Sequence, residues 1–145
     1  MSSPRLGAVG RHALSRLGRK DRDLEVTVVG DREIRRLNKR YLGVEKSTDV
    51  LAFNLGVPGP SRLLGEVVIS ADTAARQAAQ LGIAVSLEMD LLLVHGLLHL
   101  VGYDDRDPAE ARRMHRRARE ILAQTRRRPL PERLWTGLLT AGSRR

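Results

Sequence analysis

The eleven residues from Leu91 to Val101 are leucine and valine throughout, broken only by Gly96 and two histidines. A run of this length is too short to cross a bilayer and reads as the core helix of a folded domain. His95 and His99 are four residues apart, slightly more than one helical turn. Both imidazoles therefore leave the same face, with Cβ atoms roughly 5–6 Å apart. That spacing lets two ring nitrogens meet one ion at about 2.0–2.1 Å each. Burying two imidazoles among leucines is costly unless each finds a partner, and a single metal ion partners both. A lone histidine in such a helix is more often a hydrogen-bonded core residue; the pair favours the ligand reading.

The residues just beyond the pair strengthen that reading. Gly102 is the residue type that ends a helix and lets the chain reverse, and Asp104 and Asp105 then arrive on a turn. The spacing His-x3-His-x5-Asp offers two nitrogens and one oxygen from His95, His99 and Asp105. Three protein ligands leave a coordination position open, which suits catalysis better than a closed structural site. Asp104, or His115 further along, is an alternative third ligand. In the metalloprotease pattern H-E-x-x-H, a glutamate follows the first histidine and acts as general base. Here Gly96 stands at that position, so a peptidase reading lacks its base.

The stretch His95-Gly-Leu-Leu-His-Leu-Val-Gly-Tyr-Asp104 resembles the H-G-x-L-H-L-x-G-Y-D signature of the YbeY family. Three further blocks are similar to that family in the same order: Asp31 to Tyr41 with its L-N-x-x-Y ending, Ser47-Thr-Asp-Val-Leu-Ala-Phe53, and Leu64-Gly-Glu-Val-Val-Ile-Ser70. The last forty or so residues match weakly or not at all. The resemblance implies a metal-dependent endoribonuclease acting on single-stranded ribosomal RNA. It further implies a role in small-subunit 3′-end maturation and ribosome quality control, with the small subunit as partner.

Two positions depart from the family. Its third ligand is a histidine where this chain has Asp105, and it usually carries an arginine thought to engage RNA where this chain has Leu42. Aspartate is a competent zinc ligand. Its charge makes the ion a weaker Lewis acid than three imidazoles would and broadens the choice from zinc toward manganese or iron. Arg40 and Lys46 flank Leu42 and are candidates to supply the missing charge to RNA. No residue in the motif is an obvious general base; Asp104 and Glu66 are candidates because they are acidic. The rival readings are a non-catalytic ribosome-assembly factor with a structural or vestigial metal, a zincin-like peptidase, and a generic nucleic-acid-binding module.

A chain of 145 residues makes one domain with a sizeable core. With no cysteine there is no disulfide and no thiolate site, which fits a reducing cytoplasm. The formal net charge of +9 is uneven. Residues 1–20 hold five basic and no acidic side chains, residues 126–145 six and one, and the stretch between them fifteen and sixteen. Basic ends favour polyanions through counterion release. The same charge also serves solubility, and RNA is the preferred reading because the resemblance names it. Trp135, Tyr41, Tyr103 and Phe53 are all the aromatic side chains, so any grip on RNA is expected to be chiefly electrostatic.

Periodicity predicts the elements. Leu6, Val9, Ala13, Leu14 and Leu17 recur at helical spacing, which outweighs the likeness of the acid-free start to a transit peptide. Leu24–Val29 reads as a strand, and Asp31 as the cap of a helix reaching Tyr41. Asp49–Leu55 and Glu66–Ser70 read as strands, joined in hairpin fashion through the turn-rich residues 56–61. A helix from Ala71 to Leu81 comes next, and Ser86 is expected to cap the histidine helix. Asp107-Pro-Ala-Glu110 starts a last helix, to about Gln124, in capping-box fashion. Its arginines are read as a solvated surface. The expected fold is α+β: a small mixed sheet covered by helices, with a central helix carrying the histidines. The domain is placed at residues 1–125 and a basic extension at 126–145, with a short helix around Leu134–Leu139.

Overall fold

The structure, a computed structural model, describes residues 4–54, 62–125 and 130. Its sheet is built from three strands, β1 (Asp23–Val29) and β3 (Leu63–Ser70), both rich in β-branched residues, and the shorter apolar β2 (Val50–Phe53). The order is β1-β3-β2, with β3 in the middle, parallel to β1 and antiparallel to β2. The sheet is therefore mixed, and the class is α+β. Five helices surround it: α1 (Pro4–Arg16), α2 (Asp31–Leu42), α3 (Ala71–Leu81), α4 (Val85–Leu100) and α5 (Pro108–Ala123).

Alternation along the strands sorts the side chains onto two faces. Val26, Val28, Val50, Val67 and Ile69 join the large core with α1, α4 and α5. Leu51, Phe53 and Val68 turn the other way and meet Ile34 and Leu37 of α2. Every residue of α4 from Leu91 to Leu98 is buried, because the sheet lies on one side of it and other helices on the rest. An evenly apolar helix is what such a central position requires. Among the described residues, no single helix is long and apolar enough to cross a membrane.

Two glycines set how closely α4 can approach. A Cβ on Gly96 would lie 2.9 Å from Val67 Cγ1 and 3.3 Å from Val50 Cγ2, so the helix rests its bare backbone on the sheet. A Cβ on Gly65 would meet the Phe53 carbonyl oxygen at 2.4 Å and a Leu100 methyl at 2.9 Å. The β2–β3 pair and the end of α4 thus share one tight corner.

The helix starts differ from expectation in two places. The N-cap of α2 is Gly30, without a side-chain cap bond. Asp31 is not the cap because its carboxylate is drawn across to the start of α3. There it accepts hydrogen bonds from the hydroxyls of Ser70 (2.6 Å) and Thr73 (2.7 Å) and pairs with Arg76 (2.8 Å). Asp72 in turn accepts the Asp31 backbone N–H at 2.9 Å. The two helices leave neighbouring parallel strands, so each supplies a carboxylate to the other's start. Ser86 is likewise not a cap: Ala84 is, and its carbonyl accepts the N–H groups of Leu87 and Glu88. Asp107 does cap α5, accepting the Glu110 N–H at 2.9 Å behind Pro108. The 56–61 connection and the helix around Leu134–Leu139 lie outside the described residues.

Hydroxyl donation by Ser70, then Thr73, and the charge of Arg76 outweigh partial desolvation and hold the Asp31 carboxyl at about 2. A depressed native pKa stabilises the fold above the unfolded value and loses that contribution as pH falls toward the native one. Asp31→Asn is therefore expected to be less stable than wild type at neutral pH. Denaturation midpoints measured across acid pH should converge as pH drops from about 4 toward 2. A second pair of variants separates helix propensity from packing. Ala gains up to about 1 kcal/mol over Gly inside a helix, whereas overpacking against a stiff valine costs about 1–3 kcal/mol. Gly96→Ala should be destabilised in urea titration. Gly7→Ala, whose Cβ meets only the Arg11 guanidinium at 3.5 Å, should be neutral or stabilised.

Candidate metal centre

Two successive turns of α4 carry the imidazoles. His95 is 1 % exposed and His99, near the helix end, is partly exposed. The rings meet edge to face, centroids 4.8 Å apart, and their Nε2 atoms stand 3.2 Å from each other. Two nitrogens on one tetrahedral ion, each at about 2.0–2.1 Å, would stand roughly 3.3 Å apart.

Beyond α4 the chain reverses at Gly102, whose φ of 104° favours glycine. Asp104 then organises the turn: its Oδ1 accepts the backbone N–H groups of Asp105 (2.7 Å) and Arg106 (3.2 Å), and Oδ2 pairs with the Arg106 guanidinium. Partial desolvation raises the Asp104 carboxyl, but these N–H donors and Arg106 outweigh it and hold it below its usual range. The same turn aims Asp105 back at the helix, where its Oδ2 lies 3.9 Å from His95 Nε2. One ligand atom from each of His95, His99 and Asp105 falls within 4.8 Å of the others. The donor set, two imidazole nitrogens and a carboxylate oxygen, fits a divalent transition ion. Asp105 keeps 23 % of its side chain exposed. With His99 also partly exposed, the group is open to solvent from that side.

Other residues singled out in the sequence lie elsewhere. Glu66 projects from the sheet face opposite Val67, away from α4, where its carboxylate accepts the Thr27 hydroxyl at 3.1 Å. That placement removes it from the reacting region. Asp104 is committed to its own turn. His115 sits part-buried on α5 and is not in the donor group found among the described residues. Gly96 faces the sheet, so the peptidase base position has no room for a side chain.

Arg40 and Lys46 flank the turn after α2. The Arg40 guanidinium lies over the Tyr41 ring, 5.4 Å from its centroid. Lys46 is exposed, and its carbonyl accepts the Nδ2 donor of the buried Asn38 at 2.9 Å. Tyr41 (52 % exposed), Leu42 and Val44 are exposed apolar side chains there. The sequence marks the end of this helix through the L-N-x-x-Y block that closes on Tyr41.

The family model described as Endoribonuclease YbeY matches residues 8–126. The Endoribonuclease YbeY of an Anaeromyxobacter species is 53 % identical over 109 residues, covering 74 % of this chain and 57 % of that protein. The one from Anaeromyxobacter dehalogenans is 47 % identical over 118 residues, covering 81 % of this chain and 61 % of that protein. The one from Geobacter metallireducens is 43 % identical over 130 residues, covering 85 % of this chain and 86 % of that protein. Among solved structures, the solution structure of TM1509 from Thermotoga maritima aligns over 95 % of this chain and 86 % of its own, with a TM-score of 0.58 and 22 % identity, a likeness of fold. A mixed three-stranded sheet around a histidine helix, matched by the family along most of its length, makes this chain a member of the YbeY family.

Proposed function

We propose that this chain is a metal-dependent endoribonuclease that cuts single-stranded RNA, acting on ribosomal RNA at the small-subunit 3′ end and in ribosome quality control in the cytoplasm. The observation that carries this is the pair of Nε2 atoms 3.2 Å apart on a buried helix, with the Asp105 carboxylate beside them. Support for RNA as substrate comes from the name its relatives bear and from the chain's formal net charge of +9. The metal is zinc, with manganese or iron accepted because one of the three donors is an oxygen.

A divalent ion held here supplies Lewis acidity at a phosphodiester and makes water acidic enough to ionise near neutral pH. The chain's own residues do the rest. His95, locked by its burial, fixes the direction of approach. His99 and Asp105 form the exposed rim through which a phosphate reaches the centre. Asp104 holds the Asp105 backbone in place through two N–H bonds and takes no part in proton transfer while so engaged.

Zinc at a hundredfold excess over its Kd should stabilise the wild-type chain by about 2.7 kcal/mol. The same zinc should leave His99→Ala unshifted, and elemental analysis should find His99→Ala and Asp105→Ala depleted of metal. Undiminished metal in both variants would refute the site. Chelation should abolish cleavage of single-stranded RNA, and zinc should restore it. A second reading, a non-catalytic ribosome-assembly factor, is favoured by one observation: neither Glu66 nor Asp104 is available as a general base. It predicts co-sedimentation with ribosomal particles and no cleavage by the metal-loaded chain.

A further inference from the structure

Residues 101–107 join α4 to α5, and Arg106 is the one cationic side chain among them. The three carboxylates around it are already engaged. Asp105 is directed at the histidines, 3.9 Å from His95 Nε2. Asp107 caps α5 by accepting the Glu110 N–H. Asp104 accepts the backbone N–H groups of Asp105 and Arg106 with Oδ1 and holds the Arg106 Nε with Oδ2. One carboxylate thus fixes both the backbone that carries Asp105 and the guanidinium of the next residue.

Arg106 differs from an arginine that is merely solvated. Its Nε is tied down, yet its side chain is 83 % exposed, and its two Nη groups have no partner among the described residues. An arginine restrained in this way keeps a planar pair of donors that matches two oxygens of one phosphate. Part of the entropy of ordering the side chain is already spent. The neighbouring amides offer no competing anion site. Those of Asp105 and Arg106 are taken by Asp104, and the first turn of α5 carries Pro108 and the Asp107 cap. Charge at the centre gives such a donor a use. An aspartate ligand cancels half the charge of a divalent ion, and without Arg106 the turn would set a second carboxylate, Asp104, against any approaching anion.

We propose that Arg106 binds the phosphodiester of the substrate at this centre, its Nη groups donating to the non-bridging oxygens while Asp104 holds its Nε. That the ligand is a phosphodiester rests on the function proposed above; the geometry of the turn does not. Asp104 is in this arrangement a positioning residue twice over, for the Asp105 ligand and for the Arg106 fork.

The test is a phosphorus NMR titration of dimethyl phosphate, a phosphodiester without base or sugar, into the full chain in the presence of zinc. Elemental analysis gives the zinc content of each variant. Arg106→Ala is expected to keep its zinc and to bind dimethyl phosphate roughly tenfold more weakly than wild type. Arg106→Lys should fall between the two, because it keeps the charge and loses the fork. Arg36→Ala removes a comparably exposed arginine from α2, on the other face of the sheet, and should bind as wild type does. The proposal is overturned if Arg106→Ala binds the probe as tightly as wild type, if Arg36→Ala weakens binding equally, or if the wild-type chain binds none. It is also overturned if Arg106→Ala loses its zinc, which would make Arg106 a support of the turn alone. The probe contains no RNA, so a chain that binds it through Arg106 and cuts no RNA keeps this proposal and sinks only the nuclease reading.

Discussion

The enclosure of α4 governs this molecule. Eight consecutive residues, Leu91 to Leu98, are buried, so the helix has no solvent face on which to rotate or slide. Two imidazoles carried on such an element keep the orientation the core gives them. A pair of Nε2 atoms 3.2 Å apart would be fragile on a surface helix, where side-chain entropy works against any fixed geometry. Inside the core that cost is absorbed by packing. The site is buried at His95 and partly exposed at His99 and Asp105, so the centre is closed on the protein side and open to solvent on the other.

The depth of α4 depends on glycine. With bare backbone at Gly96 against Val67 and Val50, and at Gly65 against Phe53 and Leu100, the helix and the sheet approach more closely than side chains allow. The same closeness places Leu100, at the end of α4, beside the Phe53 carbonyl at the end of the edge strand β2. Separate stretches of chain are thereby coupled by one corner of the fold.

How much of this could be read from the sequence depends on how local each feature is. His95, His99 and Asp105 lie within eleven residues, and helical periodicity plus one turn suffices to bring them together. The mixed sheet was legible from two β-branched runs, a shorter apolar one and the turn residues between two of them. Helix starts were less so. Asp31 and Ser86 both sit where a cap belongs, but Asp31 found better partners forty residues away in Ser70 and Thr73, a long-range competition that no local pattern encodes. Glu66 was plausible by chemistry alone; only strand alternation in three dimensions turns it away from the histidines.

The flat contact at Gly96 also bears on how this site relates to the peptidase sites built on a helical histidine pair. Hydrolysis of peptides from such a pair uses a glutamate directly after the first histidine. In this molecule that position faces two valines, and a Cβ there would lie 2.9 Å from Val67 and 3.3 Å from Val50, too close for ordinary contact. A glutamate there would require the helix to lift off its sheet, and the histidines would move with it, so the bare-backbone contact and a glutamate at that position exclude each other.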